Sequence, residues 1–268
     1  MTMIRLPQVF ATLILLAACS PVDSGMPPPA VLPLVVGMEL AYPPFEMRGA
    51  DGKPDGISVR MAEDLAAYLK RPLKIEDIAW DGIIPSLQTG KIDLIISSMT
   101  RTEERARTID FSDPYVSNGL CILVAKESPY EKIEDLQESG AKVAVKLATT
   151  GHLYAQAELE GVDLVVLDEA SMCALEVVQG KAAAFIYDQI SIYRFYLEHP
   201  DKTKALLQPI RQEEWAIGVK KGNGTLRNQI NEFLKTYRAE KKFDTLAERY
   251  MKDEKQAFED AGVPFIFH

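Results

Sequence analysis

The sequence of 268 residues is long enough for one large or two ordinary domains, and its 47% apolar and 26% charged residues exclude a disordered, collagenous or coiled-coil chain. A net charge of −9, with no local basic patch, argues against nucleic-acid binding. Three cysteines and three scattered histidines are too few for a disulfide scaffold or a cysteine-built metal centre, so neither metal nor cofactor is expected.

At the N-terminus Arg5 precedes Leu6–Ala18, a mostly apolar stretch. Its length in helix is about 20 Å, short of the roughly 30 Å hydrocarbon core, so it reads as a secretory signal and not a membrane span. Residues 1–18 are therefore expected to be a signal peptide. Leu16-Ala17-Ala18-Cys19 resembles the bacterial lipobox, in which Cys19 carries lipid and becomes the first mature residue. The segment 19–30 contains Pro21, Gly25 and Pro27-Pro28-Pro29, a composition that favours a flexible tether over helix or strand. The mature chain would then stand outside the cytoplasm, held to a membrane. Cys121 and Cys173 fall in a predicted strand and a predicted helix, and are expected as separate buried thiols.

Beyond the tether, Leu34-Val35-Val36 is a short apolar run that stops at Gly37 and predicts a strand. Apolar residues at 61, 65 and 69 predict a helix over Val59–Leu69. Pro72 bars its continuation, and a strand follows over Leu73–Ile78. A helix over Gly82–Gln88, a strand over Ile92–Ile96 and a charged helix over Thr102–Arg107 complete a β-α-β-α-β rhythm. The pattern restarts with strands at Leu120–Lys126 and Lys142–Lys146. Helix 151–160, strand Leu164–Leu167, helix 169–179, strand Ala183–Tyr187 and helix 189–198 follow. Trp215–Val219 is a last strand, before helices near 225–239 and 243–252. The expected fold is α/β, with two doubly wound lobes joined by two strands. The chain would cross near residue 118 and return near 213, giving lobe 1 as 31–117 with 214–268 and lobe 2 as 118–213.

Ligands of open α/β sheets bind beyond the C-terminal ends of the strands. After strand 92–96 come Ser97, Ser98 and Thr100, then Thr102 and Arg105, hydroxyls and a guanidinium at a helix start. Arg105 there either holds a carboxylate through two parallel hydrogen bonds or pairs with a surface glutamate. Thr149-Thr150-Gly151 after strand 142–146 either offers amides and a hydroxyl to the same anion or forms an ordinary strand–helix turn. Asp188, at the tip of strand 183–187, either receives an ammonium or caps helix 189–198. Tyr42, Phe45 and Trp80 are aromatics on loops, able to flank a small ligand or to serve as core lids, and Phe45 reads as core.

Taken together, Tyr42-Pro43-Pro44-Phe45, Trp80–Asp93, Met99-Thr100…Thr102-Glu103-Glu104-Arg105 and Asp110–Tyr115 resemble, in order, the polar amino-acid family of bacterial extracellular solute-binding proteins. These are the receptors of ABC importers, with the type II periplasmic-binding-protein fold, and the resemblance covers about residues 33–252. It implies that Arg105 with Ser97, Ser98 and Thr100 holds a ligand α-carboxylate, helped by Thr150. It also implies that Asp188 holds the α-ammonium, that Tyr42 and Trp80 flank the side chain, and that Glu39 stands toward its far end. The implied partners are an amino acid and an ABC permease in the inner membrane, with the chain expected as a monomer. Where the family has Gly-Phe-Asp-x-Asp this chain reads Gly56-Ile57-Ser58-Val59-Arg60, which removes acids and adds a positive charge. Ala148 and Lys241 stand where glycines are usual.

Two other readings stay open at this level. One is an enzyme on the same scaffold, such as a cyclohexadienyl dehydratase, with Glu39 or His152 as its acid–base group, or a Ser98–His152–Asp188 triad by residue type alone. The other is a ligand-sensing surface lipoprotein.

Overall fold

Gly37 does not end the first strand. β1 runs through it, over Leu34–Met38. A Cβ at Gly37 would lie 2.4 Å from Ile92 Cδ1, so the glycine marks a close approach between the backbone and a core side chain. The computed structural model describes residues 31–137, 140–260 and 266–267. The predicted signal peptide, the lipid-bearing Cys19 and the tether lie outside the described residues.

A small three-stranded sheet, β2 (Ala41–Tyr42), β3 (Glu46–Arg48) and β4 (Pro54–Asp55), leads into α1 (Ile57–Tyr68). The helix starts before the expected Val59 because Gly56 takes φ +115° and passes tightly over Phe45, whose carbonyl oxygen a Cβ would meet at 2.3 Å. α1 buries Ile57, Met61 and Leu65 on one face, in the same core as Leu34, Val36 and Met38 of β1. Next come β5 (Leu73–Asp77), α2 (Trp80–Thr89), β6 (Leu94–Ile95) and α3 (Glu103–Thr108).

Two long strands do what the short expected ones did not. β7 covers Ile109–Ala125 and β11 covers Thr203–Lys220, absorbing the predicted Leu120–Lys126, except Lys126 itself, and Trp215–Val219 into continuous ribbons. Between them lie β8 (Lys142–Lys146), α4 (Thr150–Glu158), β9 (Asp163–Leu167), α5 (Ala170–Val178), β10 (Ala184–Asp188) and α6 (Gln189–Glu198). After β11 follow α7 (Gly224–Ala239), α8 (Lys242–Tyr250) and α9 (Lys252–Asp260), the last of them not foreseen.

The other eight strands join one sheet in the order β5-β1-β6-β11-β7-β10-β8-β9. β1 runs parallel to β5 and β6, and β8 runs parallel to β9 and β10, as helix-linked strands should. The antiparallel pair β7·β11 stands between these two groups. Asn118 and Glu213 face each other across it, at the positions where the chain was expected to cross. The register slips between Leu206 and Arg211, and Gly119 packs there beneath Pro209. Cys121 and Cys173 are free thiols, both buried. Burial pushes Cys173 up to about 12, which keeps it protonated and inert. No helix among the described residues is long and apolar enough to cross a membrane.

Candidate functional site

The site lies where the ends of β1, β6, β8 and β10 meet the β7·β11 pair. Glu39, Tyr42, Trp80, Ser97, Ser98, Thr100, Arg105, Thr150 and Asp188 all line one cavity. Thr149, from the turn expected to face the anion, also lines it, and Glu46, Leu120, Tyr187, Glu213 and Trp215, none of them singled out from sequence, complete its wall. Its interior space is about 40 Å³, room for about three water molecules at roughly 10–15 Å³ each.

The loop after β6 carries one rim. Ser97 Oγ accepts the Glu39 N–H at 3.0 Å and so ties this loop to the end of β1. Ser98 takes φ +46°, in the left-handed region, and its hydroxyl donates to Glu46 at 3.2 Å. Thr102 caps α3 by accepting the Arg105 N–H at 3.2 Å. That cap brings the Arg105 side chain back over the loop, where Nη1 donates to the Thr100 carbonyl at 2.8 Å. Nη2 reaches the Ala148 carbonyl at 3.2 Å, and Trp80 Nε1 donates to the same carbonyl at 3.1 Å. The Trp80 ring lies 5.2 Å from the Arg105 guanidinium carbon, a cation–π contact. Arg105 is 8% exposed, and burial draws its guanidinium down to about 10, still cationic at neutral pH.

The turn after β8 carries the opposite rim. Thr149 caps α4, and Gly151 allows that helix to approach β10, since a Cβ there would meet Ile186 O at 2.6 Å. Ala148 adopts φ +57°, a left-handed conformation that the glycine expected here from the family pattern would take without strain. Asp188 ends β10 and caps α6 as well, accepting the Ser191 N–H at 3.0 Å and Asn118 Nδ2 at 3.4 Å. The two readings of Asp188 are therefore compatible, because one oxygen caps the helix while the residue still lines the cavity. Burial holds its carboxyl above the ordinary 3.8.

Rings make the floor. Trp215 meets Tyr42 edge-on at 5.7 Å and Phe45 at 4.9 Å, and Phe45 is fully buried, a core residue as expected. Glu39 is not a bare acid. It is ion-paired with Lys146, which is 2% exposed. Arg60 pairs with Asp55 and Glu63 away from the cavity, so the extra positive charge near Glu39 comes from Lys146 and not from Arg60. Glu46 has no ion pair among the described residues, and burial raises its carboxyl from the ordinary 4.5 to about 8. It is thus mostly neutral at pH 7. Glu213 Oε2 accepts the hydroxyls of Thr100 and Thr150, each at 2.9 Å, while Arg211 Nη2 grips Oε1 at 2.8 Å.

The triad suggested by residue type does not form. Ser98 donates to Glu46, His152 Nδ1 accepts the Ala148 N–H, and Asp188 bonds to Ser191 and Asn118. His152 does not line the cavity.

Besides Glu46, which burial keeps mostly neutral, the ionisable lining groups with no ion-pair partner among the described residues are Arg105 and Asp188. A buried guanidinium and a buried carboxyl, each lodged in a different strand-end turn, suit a zwitterion.

The family model for bacterial extracellular solute-binding proteins, family 3, matches residues 34–253. The L-cystine-binding protein TcyJ of Escherichia coli K12 is 29% identical over 81% of this chain and 82% of its own length. A crystal structure of an ArgBP mutant from T. maritima superposes with a TM-score of 0.76 at 36% identity, covering 82% of this chain and 95% of that one. The ancestral amino-acid-binding protein AncCDT-1, described as a precursor of cyclohexadienyl dehydratase, gives a TM-score of 0.74 at 33% identity over 81% and 94%. Further relatives are described as glutamine- and arginine-binding proteins of ABC transporters.

Proposed function

This chain belongs to family 3 of the bacterial extracellular solute-binding proteins, and we propose that it captures a polar L-α-amino acid between two lobes and delivers it to an ABC permease. The observation that carries this is the Arg105 and Asp188 pair. Among the described residues these two groups have no ion-pair partner, in a cavity whose other acids are paired with a cation or neutral. The α-carboxylate would lie toward Arg105, Ser98 and Thr100, with Thr150 opposite, and the ammonium toward Asp188. Tyr42 and Trp80 would flank the side chain. At its far end a ligand meets the Glu39–Lys146 pair, which carries no net charge, so an uncharged polar side chain fits better than a lysine or arginine.

The lobes are 31–117 with 214–268, and 118–213. This division is supported by the two parallel strand groups on either side of β7·β11, and by the pairing of Asn118 with Glu213 at the crossover. The cavity is too small for an amino acid as it stands, so entry requires the rims to part, and binding then closes them. Attachment to the membrane through a lipid on Cys19, after removal of residues 1–18, belongs to the same proposal. Intact-mass analysis of the membrane fraction from the native host, with Cys19→Ser as control, tests it.

The test of function is a thermal-shift and calorimetry screen against the proteinogenic L-amino acids and L-cystine. A ligand at about 100 times its dissociation constant adds about 2.7 kcal/mol of stability. Absence of any stabilising amino acid would remove the proposal. The likeness to AncCDT-1 favours one alternative, an enzyme on this fold. Against it, Glu39 is committed to Lys146 and the Ser–His–Asp relay is broken. Mass spectrometry of bound ligand before and after incubation decides, because a binding protein returns it unchanged.

A further inference from the structure

Glu213 occupies the place in which the preceding reading puts the ligand's carboxylate. Its Oε2 accepts Thr100 Oγ1 and Thr150 Oγ1, each at 2.9 Å, and these hydroxyls stand on opposite rims. Its other oxygen is held by Arg211 Nε at 3.2 Å and Nη2 at 2.8 Å, and the same Nη2 donates to the Thr150 carbonyl at 3.3 Å. The Arg105 guanidinium lies close enough to feel its charge. A carboxylate, two threonine hydroxyls and a nearby guanidinium form the set that would receive an amino acid, except that the carboxylate belongs to the chain.

We propose that Glu213 is a built-in competitor, a carboxylate that latches the two rims together without ligand and must be displaced before an amino acid can be held. The displaced side chain has somewhere to go. Glu213 and Thr100 also line an open groove of about 630 Å³ on the outer side, together with Arg101, Thr102 and Arg211. Arg211 is 42% exposed and can follow the carboxylate outward, keeping the ion pair while the hydroxyls are released. Glu213 is thus the wall between a closed cavity and an open one. Its alternation between them sets the fraction of protein ready to bind, and the apparent dissociation constant rises as that fraction falls.

This inference rests on the amino-acid reading for its affinity arm but not for its conformational arm. Glu213→Ala should bind the best amino acid of the panel about tenfold more tightly than the wild type, the order expected from removing hydrogen bonds to a charged competitor. Small-angle scattering of the ligand-free proteins should show the wild type compact and Glu213→Ala expanded. Glu213→Gln, which keeps the shape without the charge, serves if the alanine variant does not fold, and should shift both readouts in the same direction. Unchanged or weaker binding in the variants would overturn the proposal, as would a ligand-free wild type already as expanded as they are. If no amino acid binds the wild type or either variant, the functional reading falls, and scattering alone decides whether the latch exists.

Discussion

Lys146 Nζ is ion-paired with the Glu39 carboxylate inside the protein, the two side chains 2% and 11% exposed. β8 delivers the lysine and the end of β1 the glutamate, so the pair bridges the two parallel groups of the sheet beside the cavity. Desolvation pushes the Glu39 carboxyl up, and Lys146 offsets only part of that shift.

Lys146→Met would leave the acid buried without its cation, a change that typically costs about 3–5 kcal/mol. Urea unfolding should show that loss. Calorimetry should show lysine and arginine gaining affinity relative to uncharged amino acids, since Glu39 would then accept an external cation. A variant as stable and as selective as the wild type would mean that the pair does neither.

Arg105→Ala should lower affinity for the bound amino acid by about 3–5 kcal/mol, because the ligand carboxylate would be enclosed without its guanidinium. Arg105→Lys should recover little, since an ammonium cannot reproduce both the planar contact with Trp80 and the fork to the two carbonyls. Isothermal titration of the three proteins with one amino acid reads this directly.

Glu46 gives stability a definite pH slope. Its folded carboxyl titrates near about 8 against the ordinary 4.5. Between those values the folded chain keeps a proton that the unfolded chain has released. Stability therefore falls as pH rises through that window and levels off above it. The raised carboxyls of Glu39 and Asp188 act in the same direction. Glu46→Gln should flatten the slope, measured as the urea midpoint at several pH values between about 5 and about 8. An identical slope in the variant would place the titration elsewhere.

Lys241 joins α7 to α8 at φ +55°, and Ala148 turns at φ +57°. A left-handed residue with a Cβ costs about 1–2 kcal/mol, partly offset in glycine by its larger entropy loss of about 0.5–1 kcal/mol. Lys241→Gly should stabilise the protein by about 0.5–1 kcal/mol, a rise of roughly 1–4 °C in Tm by calorimetry. Ala148→Gly should gain a similar amount.

Much of this was legible in the sequence because strand ends announce themselves. A polar residue closing an apolar run drew attention to Ser97, Ser98, Thr100 and Asp188, and all four line the cavity. Lys146 carries the same signal at the end of β8, but as the last residue of an apolar run it marks the strand's end and not a site. Glu213 was hidden for another reason. It lies inside a strand far longer than its apolar core, and nothing in local periodicity says that β11 begins at Thr203. Glu46 follows directly on Phe45, which reads as core, and the hydroxyls that meet its carboxyl, Ser58 and Ser98, come from distant parts of the chain. The left-handed turns at Ala148 and Lys241 were visible only as departures from a family pattern, because neither residue type announces a positive φ.

The burial of Arg105 and Asp188, each 8% exposed, bears on the surroundings in which such a protein works. Mobile ions weaken attraction between charges in contact with bulk electrolyte, over a Debye length of about 8 Å at physiological ionic strength, but penetrate little into a closed interior. Recognition of a zwitterion by these two groups would therefore hold nearly constant from dilute to saline media, while the exposed acidic surface would not.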